Sequence, residues 1–149
     1  MISIRHVVCP HCGKKNRFPV GRPAGKARCG ACYKALFEGK PVSVDAEQFE
    51  RHRKGDEIAL LVDVWAPWCG PCRIMGPQFE RAAAELEPQM RLLWVNAEEE
   101  PQVAAWLGVR SIPALLLMEG GQIVAQTAGA KDTRSIVEWA RARLAKEAA

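Results

Sequence analysis

The six cysteines of the chain fall into three Cys-x2-Cys pairs: Cys9–Cys12, Cys29–Cys32 and Cys69–Cys72. The last pair lies in Trp68-Cys69-Gly70-Pro71-Cys72, between a long apolar run and an amphipathic stretch. Two thiols spaced i and i+3 at a helix start suit thiol–disulfide exchange. The first sits at the positive end of the helix dipole, beside unpaired backbone N–H groups. Both lower a thiol pKa and favour the nucleophilic thiolate. The second, one turn in, is within bonding reach of the first but shielded. Pro71 suits the first helical turn and stiffens the pair. The spacing predicts an attacking cysteine, Cys69, and a resolving cysteine, Cys72.

The other two pairs are separated by 16 residues, the spacing of a four-cysteine zinc site. Two intervening residues let a tight knuckle aim both sulfurs at one point, and Gly13 can turn the chain away after the first pair. Cys9, Cys12, Cys29 and Cys32 would close a tetrahedral shell around one structural Zn2+ per chain. Iron in the same cage and two disulfides are the alternatives. About 40 residues with few large apolar side chains need such a metal to fold. Cys9-Pro-His-Cys12 also resembles the active site of strongly oxidising disulfide enzymes. The context predicts otherwise: no buried strand before Cys9, no amphipathic helix after Cys12, and a loop marked by Pro19, Gly21, Pro23 and Gly25. His6 and His11 are read as solvated surface imidazoles.

A chain of 149 residues with 48% apolar and 26% charged residues is globular rather than disordered. No apolar run approaches the ~20 residues of a membrane span. Met1 to Pro10 shows no secretory pattern, so the cytoplasm, where thiols stay reduced, is the expected location. Residues 1–40 hold nine Lys/Arg and one acid, +8; residues 41–149 hold twelve Lys/Arg and sixteen Asp/Glu, −4. With the cysteine distribution, this shift places a boundary near Gly39–Pro41: a four-cysteine metal-binding domain over 1–40 and a second domain over 41–149. The basic segment invites a nucleic-acid reading. Zinc thiolates would reduce its charge to about +6, and no stacking aromatics are interleaved with it. A solvated face, with no nucleic-acid or membrane partner, is the expectation. Whether this segment packs beside the Cys69–Cys72 dithiol is left open.

The elements that position the dithiol follow from pattern. Val42–Val44 is a short strand. Asp45 and Gln48 form a capping box that opens a helix to about Arg53. Ile58–Trp65 is almost continuously apolar, as a central strand should be. A helix from about Cys72 to Glu87 contains Pro77, so a kink is expected. Arg91–Asn96 is a strand, and Glu98–Pro101 starts a helix. Ala114–Met118 and Gln122–Thr127 form a hairpin through Gly120–Gly121. Asp132 caps a last helix with Ile136, Val137, Ala140 and Leu144 on one face. The order βαβαβαββα is an α/β domain with a mixed sheet. Asp63, inside the apolar run, must be solvated, paired or neutral. Desolvation would raise its pKa and make it a proton acceptor near neutral pH.

Asp63-Val-Trp65-Ala-Pro-Trp68-Cys69-Gly-Pro-Cys72, followed by Ser111-Ile112-Pro113 before a hairpin, resembles the thioredoxin family over about residues 41–147. With the four-cysteine segment in front, the chain looks like its zinc-binding branch, the thioredoxin 2 type. The resemblance implies a thioredoxin fold preceded by a zinc-ribbon-like domain. It implies a protein-disulfide reductase with Cys69 as the exposed nucleophile, Cys72 as resolving thiol and Asp63 as the buried acid below Cys72. Pro113 matches the family's cis-proline, which would leave the Ile112 backbone open to an extended substrate. Trp68, Gly70, Pro71 and Gly129 would complete the docking surface; Trp65 is read as packing. No dinucleotide fingerprint is present, so no bound flavin or nicotinamide is expected. Disulfide-containing proteins and an external thioredoxin reductase are the implied partners. One position departs from the family: Trp94 stands where many members carry a lysine near the acid. The rival reading is a zinc-ribbon binding or targeting module with the second domain as scaffold.

Overall fold

The computed structural model describes residues 3–21 and 24–148. A two-stranded antiparallel hairpin, β1 (Ser3–Val8) and β2 (Lys15–Val20), comes first. A single turn of 3-10 helix, Ala24–Lys26, follows. Then come β3 (Val42–Ser43), α1 (Ala46–Gly55), β4 (Ala59–Trp65), α2 (Gly70–Leu86), β5 (Met90–Asn96), α3 (Pro101–Trp106), β6 (Ala114–Glu119), β7 (Gln122–Ala128) and α4 (Thr133–Ala148). The five-stranded sheet has the order β3-β5-β4-β6-β7. β3, β5 and β4 run parallel, and β6 and β7 are antiparallel additions. No helix among the described residues is long and apolar enough to cross a membrane.

β4 is central, paired with β5 along one edge and β6 along the other, and helices cover both its faces, so its sequence is almost entirely apolar. Successive side chains still alternate between faces. Leu60, Val62 and Val64 pack with Phe49 and Val103 of α1 and α3. Ala59 and Leu61 pack with Phe79 and Ile136 of α2 and α4. By that alternation Asp63 belongs to the α2 side. The capping box forms as expected: Asp45 Oδ1 accepts from the Gln48 amide at 2.8 Å, and Gln48 Oε1 accepts from the Asp45 amide at 2.9 Å. α2 runs through Pro77 and opens at Gly70, two residues earlier than expected.

Two expectations about the first segment fail. A strand with buried Val7 and Val8 does precede Cys9. Pro19 lies within β2, paired with Ile4, and is not in a loop. A proline needs no ladder donor on a hairpin edge. Gly21 is a turn and Gly25 lies in the 3-10 helix; Pro23, assigned to the same loop, is outside the described residues.

The first segment seats on the N-terminal ends of β4 and β5. Ile58, at the start of β4, joins a cluster with Val7, Phe18, Leu36 and Phe37. Gly55 is pressed against Val8; an added Cβ would stand 2.4 Å from Val8 Cγ2. Arg91, 1% exposed, donates to the Leu36 carbonyl at 2.8 Å and the Val8 carbonyl at 3.1 Å, and stacks on Phe37. Asp56 accepts from the Val8 amide at 2.6 Å and pairs with His52 Nδ1 at 2.6 Å. Glu87 accepts from the Gly39 amide at 2.8 Å. Arg91 reaches Asp56 and Glu87 only at 4.0 and 3.9 Å, so the two carbonyls hold it more closely than the acids do. Burial accordingly outweighs Arg91 at Glu87 and pushes that carboxyl up to about 7. Arg91→Met keeps the bulk but leaves two buried carbonyls without a donor and Asp56 and Glu87 without their counter-charge. We expect a loss of about 3–5 kcal/mol in urea unfolding. A loss under ~1 kcal/mol would show the guanidinium to be merely tolerated.

Candidate active site and metal centre

The Cys69–Cys72 pair lies at the opposite end of β4 from the seat of the first segment, separated by the strand's seven residues, roughly 20 Å. The described residues of the basic segment therefore seat at the far end of the strand from the dithiol. Cys69 is the N-cap of α2 and Pro71 lies in its first turn. The Cys72 amide points at Cys69 Sγ, 3.2 Å away, the contact that favours a thiolate there. The two cysteines are joined as a disulfide, with Cα atoms 5.2 Å apart. Cys69 is not the exposed nucleophile that the family resemblance implies. It is 6% exposed against 2% for Cys72, because Trp65, Ala66 and Ile112 close around the pair.

The peptide bond between Ile112 and Pro113 is cis. The Ile112 carbonyl oxygen lies 3.9 Å from Cys69 Sγ, and Gly129 N–H donates to the Pro113 carbonyl at 2.9 Å. Chain segments far apart in sequence thus meet at the disulfide. Around it, Trp68 is 71% exposed, and Gly70, Pro71 and Gly129 are exposed too. Ile74, 72% exposed, lies one helical turn beyond Gly70. Sequence reasoning missed it; the signal was an isoleucine where the helix pattern leaves a residue outside the core.

Asp63 is 1% exposed beneath the pair. Burial pushes its carboxyl up to about 7, and a hydrogen bond from Trp94 opposes the shift. Trp94 Nε1 donates to Asp63 Oδ2 at 3.1 Å, whereas Oδ1 has no partner among the described residues. A cavity of about 270 Å³ is lined by Asp63, Trp65, Cys72, Arg73 and Trp94. It brings the acid and the inner sulfur to one cavity beside the exposed Arg73. Trp65 is half-buried in the packing around the dithiol, as expected.

Cys9, Cys12, Cys29 and Cys32 converge, with all four sulfurs within 4.8 Å of one another. Cys9–Cys32 and Cys12–Cys29 are each 3.6 Å apart. Zn–S bonds of about 2.3 Å in a tetrahedron require S···S distances of roughly 3.8 Å, so the donor set fits. Cys9–Cys12 and Cys29–Cys32 sit in two knuckles of the same form. The Cys9 carbonyl accepts from Gly13 N–H and the Cys29 carbonyl from Tyr33 N–H. Gly13 and Tyr33, equivalent in the two knuckles, both have positive φ, 80° and 65°. Amides of His11 and Ala31 point at Cys9 and Cys29 Sγ at 3.4 and 3.3 Å, as thiolate ligands require. His6 and His11 are surface groups, paired with Glu57 and Glu38 at 2.9 and 2.8 Å.

The thioredoxin family model matches residues 40–142, and the model of the thioredoxin 2 N-terminal zinc ribbon matches residues 8–34. Thioredoxin C-3 of Corynebacterium nephridii is 35% identical over 133 residues, 89% of this chain and 91% of that one. Thioredoxin 1 of a Nostoc species is 43% identical over 82 residues, 55% of this chain and 77% of that one. The solved thioredoxin of Malassezia sympodialis superposes with a TM-score of 0.61 at 26% identity, covering 68% of this chain and 88% of that one. A mutant thioredoxin from Halobacterium salinarum shares the fold, with a TM-score of 0.64 at 24% identity over 72% of this chain and 93% of that one. The chain has the thioredoxin fold behind a zinc-ribbon segment. Its relatives mark it as a protein-disulfide oxidoreductase, and it belongs to the thioredoxin family.

Proposed function

We propose that the chain reduces protein disulfides through Cys69 and Cys72 and is recharged by an external thioredoxin reductase. The observation that carries this reading is the Cys69–Cys72 disulfide at the start of α2, above a buried Asp63 and against the cis Ile112–Pro113 bond. The Cys69 thiolate attacks a substrate disulfide, forming a mixed disulfide and releasing one substrate thiolate. Cys72 gives its proton to Asp63 and attacks Cys69 Sγ. The Cys69–Cys72 bond forms and the second substrate sulfur leaves. Trp68, Gly70, Pro71 and Gly129 form the docking surface, and the Ile112 and Pro113 backbone receives an extended substrate. Residues 41–149 carry this chemistry. Residues 1–40 are a separate domain holding one Zn2+ on Cys9, Cys12, Cys29 and Cys32. The cytoplasm, with disulfide-containing proteins as substrates and no membrane or nucleic-acid partner, is the working location.

The test is reduction of insulin disulfides, followed by turbidity with dithiothreitol as electron donor. Acceleration over dithiothreitol alone is expected; none would favour the ribbon as a targeting module on an inert scaffold.

Asp63 gives a second expectation. Its folded-state pKa is raised from 3.8 to about 7. The folded protein therefore holds a proton that the unfolded chain has lost between about pH 4 and pH 7. Its contribution to stability falls as pH rises through that window and is most unfavourable above pH 7. Asp63→Asn removes this penalty. We expect a gain of about 2–4 kcal/mol at pH 8, shrinking toward pH 4, with slower mixed-disulfide resolution. A destabilised Asn variant would make Asp63 a satisfied structural partner.

A further inference from the structure

We infer that Trp94 is a positioning residue for the resolving step: its indole N–H holds Asp63 Oδ2, so that the free oxygen serves the proton of Cys72 through the side cavity. The inference rests on the proton-acceptor role proposed for Asp63. Three observations carry it. The donor–acceptor distance is 3.1 Å, and Trp94 Nε1 is the one hydrogen-bond donor to the Asp63 side chain among the described residues. Asp63 Oδ1 is buried and unpartnered, so the two oxygens differ in what they can do. Asp63, Cys72 and Trp94 line one cavity, and that shared lining gives the proton a path.

The indole is itself fixed. Its ring packs on Phe79 of α2 with centroids 5.9 Å apart, and Asp63 pairs in register with Trp94 across β4 and β5. The donor therefore cannot swing away without disturbing the sheet. The groups facing Asp63 are few. α2 contributes Cys72 and the exposed Arg73, and β3 contributes Ser43. β6 contributes Leu115 in register, which is apolar. A neutral donor at this position holds the acid without the strong pull of a cation. The carboxyl can then take the Cys72 proton in one direction and return it in the other, when the disulfide is reduced.

The proton balance is closed. In resolution, Cys72 S–H loses its proton to Asp63, the S–S bond to substrate breaks, and the Cys69–Cys72 bond forms. The departing substrate thiolate is protonated by water, to which Asp63 also returns its proton.

The test uses two readouts. In the native oxidised protein, the 15N–1H signal of the Trp94 indole and the 13C signal of the Asp63 carboxyl are followed against pH. Both should titrate with one midpoint. An indole signal that stays fixed while the carboxyl titrates overturns the inference. In the reduced protein, reaction with a chromogenic aryl disulfide releases one thiolate on attack by Cys69 and a second on resolution by Cys72. Trp94→Phe keeps a packed ring and loses the donor. The second release should slow about threefold at pH 7, with its midpoint moved up by roughly 0.5–1 pH unit, and the first release should be unaltered. An unmoved midpoint in Trp94→Phe, with Asp63→Asn still slowing the second release, assigns Trp94 to packing and overturns the inference alone. An unaltered second release in Asp63→Asn removes the acceptor role on which it rests.

Discussion

Cys69→Ser is expected to lose insulin reduction altogether, on the order of a thousandfold or more, and Cys72→Ser to stop at the mixed disulfide. The two variants separate because the two sulfurs sit differently. Cys69 caps α2 and receives the Cys72 amide at 3.2 Å. Those are the contacts that stabilise a thiolate, and a serine hydroxyl cannot replace it as a nucleophile toward sulfur. Cys72 lies one turn in, beside the cavity that reaches Asp63. Without its thiol, attack by Cys69 survives and the substrate remains bound through sulfur. Intact-mass spectrometry after exposure to a substrate disulfide reads the difference directly. Cys72→Ser should gain the mass of one substrate thiol, and Cys69→Ser should gain none. Near-native turnover in Cys72→Ser would reverse the roles. The low exposure of Cys69, 6%, also implies that a substrate must dock before it reacts. The exposed Trp68 and Ile74 supply apolar surface for that docking.

The second domain was legible because its signals are local. An apolar run flanked by a dithiol, a capping box, a Gly-Gly hairpin and a Pro-started helix each declare themselves within about ten residues. The same holds for the metal site, whose ligand spacing is a local geometric demand. The missed features depend on contacts across the chain. β1 was unreadable because Ser-Ile-Arg-His-Val-Val has a polar half; Val7 is buried by residues distant in sequence, Phe18, Leu36, Phe37 and Ile58 among them. Arg91 reads in sequence only as the first residue of a strand. It is buried because two carbonyls from residues 8 and 36 arrive to accept from it. The exposure of Cys69 was overstated for a related reason. The residues that close around it include Ile112, which no pattern near residue 69 reveals. Trp94 was recognised as a departure from the family, but its indole donor to Asp63 was found only in the structure.

Those long-range contacts sharpen what metal loss should do. Structural zinc contributes about 10–16 kcal/mol to the folding of small fingers. Cys9 and Cys29 are themselves core residues of the first segment. Replacing Cys9, Cys12, Cys29 and Cys32 together by serine should therefore unfold that segment, seen as lost amide protection over residues 4–20 and 27–38 in hydrogen exchange. The damage should extend to the seat. Arg91 loses the Val8 and Leu36 carbonyls, and Ile58 loses its apolar cover. Protection should fall at the N-terminal ends of β4 and β5 and at the C-terminal end of α1, where Asp56, paired with His52, binds Val8. It should persist at the other end of β4, roughly 20 Å away, where the disulfide sits against Ile112. Insulin reduction should then drop less than about tenfold while the thermal midpoint falls by several degrees. Elemental analysis of the native chain should give one zinc per chain. Iron in its place would change the metal but not the site, and well under one metal per chain would refute it. Complete loss of reduction in a quadruple variant that keeps amide protection in β4, β5 and β6 would show that the two segments share the chemistry. The separation of the two sites points the other way: the acids that face Arg91 are Asp56 and Glu87, whereas Trp65, Ala66 and Ile112 close around the disulfide.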